Sequence, residues 1–219
     1  MLQKMEREGL ILEIERGKYL FLGLSPEKVL SNPLYIGVNI ISPAYISFWS
    51  ALHFHGLTEQ VPHIVFIAAT KRKSELIFRN TRYKIVTLAQ AAFFGYKREM
   101  LDTLPVLVAD QSKTILDCLA FPGYAGGIVE IAKALQSAIN GQTLDVRELV
   151  EYANRLNNGS LASRLGYLLE VLHQPTYNLR PSNGPVLLDP QQEGRGEFNS
   201  HWKLYHNIPL PDLLPQGVF

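Results

Sequence analysis

Basic side chains form the most concentrated chemical feature of this sequence. Between residues 71 and 84, six lysines and arginines stand against one acid, whereas the whole chain of 219 residues has a formal net charge of only +1. Clustered cations attract phosphate whatever the total charge, so the segment predicts a polyanion-binding surface. A solvated hairpin is the alternative explanation. The six cations are Lys71, Arg72, Lys73, Arg79, Arg82 and Lys84.

A second group of residues could support acid–base chemistry. Asp110, Lys113 and Asp117 combine two carboxylates with a lysine, a set that metal-dependent nucleases use at adjacent strand ends. No acid precedes Lys71, however, where such a carboxylate–lysine pair would be expected after a strand. Asp117 is better explained as the partner of a nearby base. We therefore favour a protein that is not an enzyme and keep a nuclease-like enzyme as the less favoured alternative.

Two further motifs suggest metal or phosphate binding, and both fall short of it. His53 and His55 lie two positions apart, so on a helix they point about 200° away from each other and cannot chelate one ion together. Gly123, Gly126 and Gly127 precede a helical pattern but lack the lysine of a P-loop. The glycines predict a tight turn that leads into a helix. We expect no metal and no cofactor.

The N-terminal residues predict the elements that present part of the charge. Residues 2–8 have the pattern of a helix end, and residues 10–21 alternate as a hairpin around an Arg16-Gly17 turn. A helix followed by a hairpin with a basic tip is typical of the second half of a winged helix-turn-helix, whose helix and wing contact DNA phosphates. The cations of this part are Lys4, Arg7, Arg16 and Lys18.

The rest of the chain predicts a mixed sheet followed by helices, and so an α+β fold. Ser42, Pro43 and Gly56 bracket an aromatic-rich pattern that predicts one helix between them, and residues 63–70 have strand composition. Ser112 is the expected cap of the first later helix. The further predicted elements are strands at 83–88, 93–98 and 106–110, helices at 112–119, 127–139, 145–156 and 160–172, and short strands at 186–188 and 202–205.

Composition places the protein in a reducing compartment. The chain is 47% apolar, enough for a substantial core, and no apolar run approaches the roughly 18 residues that cross a bilayer. Its single cysteine, Cys118, lies in an apolar run and cannot form an internal disulfide. We expect a cytoplasmic protein without a membrane partner.

Several motifs, in order, resemble the AbiEi family of antitoxins and transcriptional regulators, which belongs to type IV toxin–antitoxin systems of abortive infection. The motifs cover most of the chain, and the ordered set is more specific than any one of them. They are Gly9-Leu-Ile with Arg16-Gly-Lys-Tyr, Ser-Phe-Trp-Ser-Ala-Leu-His-Phe-His-Gly-Leu-Thr-Glu-Gln at 47–60, Lys-Thr-Ile-Leu-Asp-Cys-Leu at 113–119, Pro-Gly-Tyr-Ala-Gly-Gly-Ile at 122–128 and Arg-Leu-Gly-Tyr-Leu-Leu-Glu at 164–170.

The resemblance implies a protein that represses its own operon and opposes a neighbouring toxin. It implies an N-terminal winged helix that binds inverted repeats in operon DNA, and a C-terminal domain that neutralises a cognate nucleotidyltransferase-like toxin, functionally if not by direct contact. This sequence begins inside the helix before the wing, so we expect a partial winged helix over residues 1–24 and an AbiEi-like antitoxin domain over residues 25–219. An interaction module that does not bind DNA, and acts on a toxin or RNA, is the alternative.

Overall fold

Two compact units make up the chain, whose computed structural model describes residues 1–214. The first unit comprises residues 1–50 and 62–109, and the second comprises residues 51–61 and those from Asp110 onward. This division differs from the predicted boundary at residue 24. The N-terminal hairpin belongs to the first unit because it buries one face there, including Ile11, Ile14 and Leu20.

The first unit contains the hairpin, three helices and a six-stranded sheet. The helix α4 has residues in both units. In chain order the elements are α1 (Leu2–Arg7), β1 (Ile11–Glu15), β2 (Lys18–Phe21), α2 (Pro26–Leu30), α3 (Pro33–Ile40), β3 (Ala44–Ile46), α4 (Phe48–Phe54), β4 (Ile64–Ala69), β5 (Leu76–Phe78), β6 (Thr81–Thr87), β7 (Tyr96–Leu101) and β8 (Leu104–Ala109).

The sheet is mixed, as the sequence predicted. Its strand order is β5-β6-β4-β3-β8-β7, in which β4 pairs with β6 and β3 with β8 in parallel while the other pairs are antiparallel. Helix α3 packs on this sheet, and a Cβ built at Gly37 would lie 3.2 Å from Val65 Cγ1. Helix α3 was not predicted from the sequence, although Asn32 caps it and Pro33 starts it. The α+β class is confirmed.

Around Tyr83, charged and buried side chains of strand β6 alternate between the two faces of the sheet. Arg82 is exposed and Lys84 half-buried, whereas Tyr83 between them is buried on the opposite face. Burial raises the pKa of the Tyr83 phenol to about 12. The hairpin β5–β6 turns through Arg79 and Asn80, both at positive φ.

The predicted single helix between Ser42 and Gly56 is wrong. Residues Ala44–Ile46 form β3 in the sheet, and α4 begins only at Phe48. Tyr45 is fully buried and its ring stacks on Tyr96 at 4.8 Å, so it packs as a core strand residue. A short apolar run with both faces buried does not show an alternating pattern, so its spacing cannot distinguish strand from helix.

The predicted end of this helix is confirmed at Gly56. Its φ of +67° is the left-handed conformation that glycine adopts without strain. The Gly56 N–H donates to the His53 carbonyl at 3.0 Å, and the Leu57 N–H donates to the Leu52 carbonyl at 2.9 Å. These two hydrogen bonds form a Schellman motif, which satisfies carbonyls that the helix end leaves free.

The second unit is mainly helical. Asp110, Asp145 and Asn158 cap three of its helices through their side chains, so the prediction that Ser112 caps the first of them is wrong. Ser112 instead donates from Oγ to Glu148 at 2.9 Å. The elements are α5 (Gln111–Ala120), α6 (Ile128–Asn140), α7 (Val146–Leu156), α8 (Gly159–Val171), β9 (Val186–Leu187), β10 (Glu197–Asn199), β11 (Leu204–His206) and α9 (Leu210–Leu213).

In the core of the second unit, Trp202 packs closely against helix α8. Trp202 is 1% exposed, lies over Gly166 of α8 and donates its indole N–H to Glu170. Leu161, Leu165 and Leu168, at helical spacing along α8, are also buried. Between residues 1 and 214, no helix has both the length and the apolar character needed to cross a bilayer.

Candidate nucleic-acid interface

Four of the predicted DNA-binding cations line one cleft in the first unit. The cleft has a volume of about 600 Å³, and its cations are Lys18 from the hairpin and the three consecutive residues Lys71, Arg72 and Lys73. The hairpin and the segment after β4 thus contribute to the same site, although they are far apart in sequence. The remaining lining residues are Glu15, Asn39, Ile40, Ile41 and Ser42.

The hairpin turn places Lys18 at the cleft. Gly17 has a φ of +74°, and its N–H donates to Glu13 Oε1 at 2.7 Å. Strand β2 begins directly after this turn, at Lys18. Arg16 lies at the tip and is exposed, and it has no hydrogen-bond or ion-pair partner within residues 1–214.

Strand β4 positions the other three cations. It is buried from Val65 to Ala69, and Lys71 to Lys73 follow where the chain leaves the sheet. The Lys71 ammonium donates to the Ser42 carbonyl at 3.1 Å, which holds its side chain beside the residues that precede β3. Arg72 is exposed and has no ion-pair partner in the described part of the chain.

A single carboxylate, Glu15, lies among these cations. It forms ion pairs with Lys18 at 3.0 Å and with Lys73. Hydrogen bonds from Lys73 and then Lys18 lower the pKa of Glu15, and the hydrogen bond to Glu15 raises the pKa of Lys18. Four cations against one carboxylate leave the cleft with a net positive charge.

The other predicted cations lie outside the cleft. Lys4 pairs with Glu8 at 3.8 Å on α1, and Arg7 donates from Nε to the Gln3 carbonyl. Glu75 pairs with two cations of β6, Arg82 at 3.1 Å and Lys84 at 3.8 Å. Arg79 at the β5–β6 turn is exposed and lacks an ion-pair partner among residues 1–214. The structure therefore does not bring all ten predicted residues into one site.

The predicted acid–base residues have structural roles in the second unit. Asp110 accepts from the Lys113 N–H at 2.8 Å as the cap of α5, and it also accepts from the Tyr152 hydroxyl at 3.3 Å. Lys113 and Asp117 form a buried ion pair within α5, so Asp117 is the partner of a nearby base, as predicted. Burial raises the pKa of the adjacent Cys118 thiol well above its ordinary value.

The predicted glycine turn is confirmed, and a carboxylate already lies near it. Gly126 and Gly127 have φ values of +76° and +88°, and Gly127 precedes the first residue of α6. A Cβ built at Gly127 would lie 3.7 Å from Asp189 Oδ2. Among the described residues, no group of three or more histidines, cysteines and acids is arranged to hold a metal ion.

Arg164 links the helices of the second unit to its small strands. Its Nε donates to the Leu187 and Leu188 carbonyls at 3.1 and 3.2 Å, and Nη1 donates to the Leu119 carbonyl at 3.1 Å. Burial lowers the pKa of this guanidinium, while the charge of Asp189 opposes that effect. Arg164 is therefore a structural cation that helps to hold β9.

The uncharged and acidic residues of the basic cleft were not predicted from the sequence. Glu15 alternates with apolar residues along β1 and carries no signal that it pairs with Lys73, 58 positions later. Asn39 lies near the end of α3, a helix that the sequence did not predict. Ser42 lies just beyond α3, where the sequence predicted the start of a helix that does not form there.

Comparisons with known proteins support the fold alone. No model of a known protein family matches this sequence, and no curated protein matches it. A solved structure that resembles it is the crystal structure of the RV2827C protein from Mycobacterium tuberculosis, with a TM-score of 0.60 over 97% of this chain and 80% of that chain. The two sequences are 14% identical, so the likeness shows a shared α+β fold and carries no information about activity.

Proposed function

We propose that this protein is a non-enzymatic, nucleic-acid-binding regulator: the antitoxin and autorepressor of a type IV toxin–antitoxin system. It binds inverted repeats in its operon DNA and opposes a nucleotidyltransferase-like toxin in the cytoplasm. The observation that carries the DNA-binding half is the cleft shared by Lys18 and the segment from Lys71 to Lys73. The antitoxin half rests on the ordered motifs that resemble the AbiEi family.

The geometry of the cleft favours contact with a phosphate backbone. Two chain segments converge there, so cations are presented along a surface rather than at one point. Arg72 is free of ion pairs within the described residues and can form a bidentate contact with a phosphate. Phosphate contacts position a protein on a duplex without reading its sequence. Base reading would fall to residues near the helix that precedes the hairpin, in the manner of a winged helix.

Removal of two cleft charges should weaken DNA binding and reduce its dependence on salt. Four phosphate contacts predict that the logarithm of the association constant falls with the logarithm of salt concentration with a slope of about −3 to −4. In Lys71→Gln/Arg72→Gln the slope should be smaller in magnitude by about two. Fluorescence anisotropy with operon duplex over a range of salt concentrations measures both. Lys133→Gln on α6, an exposed lysine of the second unit, is the control and should keep the original slope.

Two results would separate the halves of this proposal. An unchanged slope in the double variant would exclude the cleft as the phosphate-binding site. Co-expression with the neighbouring nucleotidyltransferase-like toxin tests the antitoxin half, and we expect the double variant to restore growth as well as the unchanged protein does. Failure of the unchanged protein to restore growth would contradict the antitoxin assignment and leave the DNA-binding result intact.

Neutralising Glu15 should have the opposite effect on DNA affinity. In Glu15→Gln the cleft loses the carboxylate that pairs with Lys18 and Lys73, so both ammonium groups become available to phosphate. We expect roughly threefold to tenfold tighter binding of operon duplex at low salt, with a steeper salt slope. Glu27→Gln on α2, an exposed acid outside the cleft, makes the same change in net charge. Equal tightening by both variants would mean that net charge, and not the cleft, determines affinity.

A further inference from the structure

A second cleft, in the helical unit, has five asparagines among its eleven lining residues. It lies where α7 ends and α8 begins, facing the segment 178–183, and has a volume of about 610 Å³. Ligand sites in proteins commonly have volumes of roughly 300–1,000 Å³. Among the described residues that line this cleft, Arg180 alone is charged. The amides belong to Asn154, Asn157, Asn158, Asn178 and Asn183, and we call this site the asparagine cleft.

The walls of the asparagine cleft are held in place by specific contacts. Asn154 Nδ2 donates to Asn178 Oδ1 at 3.0 Å, which ties α7 to the facing segment. The Ser182 N–H donates to Ser163 Oγ at 2.8 Å, which ties that segment to α8. A Cβ built at Gly159 would lie 2.9 Å from Ser182 Cα, so the absence of a side chain there allows the close approach. These contacts within the chain define the walls of the cleft.

Two of the amides are available to a ligand. The side chains of Asn157 and Asn183 are exposed, and neither has a hydrogen-bond partner among residues 1–214. Each carboxamide offers a donor and an acceptor side by side. The Watson–Crick edge of an unpaired base presents the complementary arrangement, and proteins that read single strands bind this edge.

A stacking surface adjoins the amides. A neighbouring cavity of about 570 Å³ shares Asn154 and Asn178 with the asparagine cleft and is also lined by Arg147, Glu151 and Tyr177. Tyr177 is 49% exposed, and the Arg147 guanidinium carbon lies 5.3 Å from the centre of its ring. Proteins that bind single strands commonly stack bases on exposed aromatic rings and neutralise phosphates with nearby arginines. Tyr177 and the arginines beside it provide both kinds of group.

We propose that the asparagine cleft binds unpaired nucleotides, with Asn157 and Asn183 on base edges and Tyr177 stacked on a base. Arg180 meets the phosphate backbone. The same amides could hold the main chain of an extended peptide, but peptide grooves depend on pockets for alternate side chains, and this lining is polar. The inference is independent of the basic cleft in the first unit, which is proposed to bind duplex DNA.

Binding of short labelled oligonucleotides to the full chain tests the proposal by fluorescence anisotropy. Strands of about eight nucleotides fall within the site sizes of single-strand binders. Oligo-U and oligo-dU differ only in the 2′-hydroxyl, so the pair distinguishes RNA from DNA as the ligand. We expect binding of at least one of them. Affinity should fall at least about tenfold in Asn157→Ala/Asn183→Ala and in Tyr177→Ala, while Tyr177→Phe should keep it because the ring remains.

Matched variants decide where the strand binds. Asn140→Ala, at an exposed asparagine at the end of α6, should bind oligonucleotides like the unchanged protein. The losses caused by the asparagine and tyrosine variants should persist in a Lys71→Gln/Arg72→Gln background, which removes phosphate contacts of the basic cleft. Loss of binding in Lys71→Gln/Arg72→Gln alone would assign the strand to the basic cleft and overturn the proposal. Unchanged affinity in the asparagine and tyrosine variants would also overturn it, as would binding of a glycine-serine octapeptide without binding of any oligonucleotide.

Discussion

Replacing Lys113 with methionine should lower the free energy of unfolding by about 3–5 kcal/mol. The Lys113 side chain is fully buried and that of Asp117 is 4% exposed, and the two form an ion pair one helical turn apart on α5. The methionine leaves the Asp117 carboxylate buried without the cation that balances it, and burying a charge without its counter-charge is costly. Denaturation by guanidinium chloride, followed by far-UV circular dichroism, measures the change.

A second substitution tests that explanation. Lys113→Met combined with Asp117→Leu removes both charges and should recover most of the lost stability, because replacing a whole buried ion pair with apolar groups is often neutral or stabilising. Lys133→Met on α6 is the control at an exposed lysine and should change stability by no more than about 0.5 kcal/mol. A Lys113→Met variant as stable as the control would show that the pair contributes nothing to folding.

Adding one methyl group at Gly166 should destabilise the protein by about 3 kcal/mol. A Cβ built there would overlap the six-membered ring of Trp202, which is buried and held through its indole N–H by Glu170. Either the ring or the backbone of α8 must move, and both are packed on other core residues. Thermal and chemical unfolding of Gly166→Ala measure the loss.

A double-mutant cycle tests whether contact with the Trp202 ring causes the loss of stability in Gly166→Ala. Phenylalanine at position 202 lacks the outer ring that faces Gly166, so Gly166→Ala should cost clearly less in a Trp202→Phe background. Gly184→Ala is the matched glycine control, because a Cβ there meets nothing within 4 Å. Equal costs of Gly166→Ala in both backgrounds would assign the effect to the helix backbone instead of the ring.

Local signals in the sequence were sufficient for most of the secondary structure. Turn glycines, alternation and helical spacing predicted the N-terminal hairpin, the Gly56 stop and the four long helices of the second unit. The error at residues 42–47 has a physical cause. Ser42 and Pro43 are typical of a helix start, but the three residues of β3 are buried on both faces, which removes the alternation that identifies a strand.

The candidate site was predictable in its cations but not in its geometry. The basic segment was evident as a cluster in sequence, and its convergence with Lys18 depends on how the hairpin packs in the first unit. The pairing of Glu15 with Lys73, and of Glu75 with Arg82 and Lys84, reduces the free charge that a count of residues suggests. The asparagine cleft was not predicted because its asparagines form no recognisable motif in the sequence. They come together only where residues 154–158 face residues 178–183 in the fold.

Both edges of the six-stranded sheet are poorly suited to recruiting another strand. Strand β5 is three residues long, too short to template much pairing, although its Ile77 is 66% exposed. Strand β7, at the other edge, carries Lys97, Arg98 and Glu99 in succession. Short edges and charged edges are the means by which natural sheets avoid joining into aggregates. At high protein concentration, molecules of this chain should therefore not pair through their edge strands. Any oligomer would have to form through another surface.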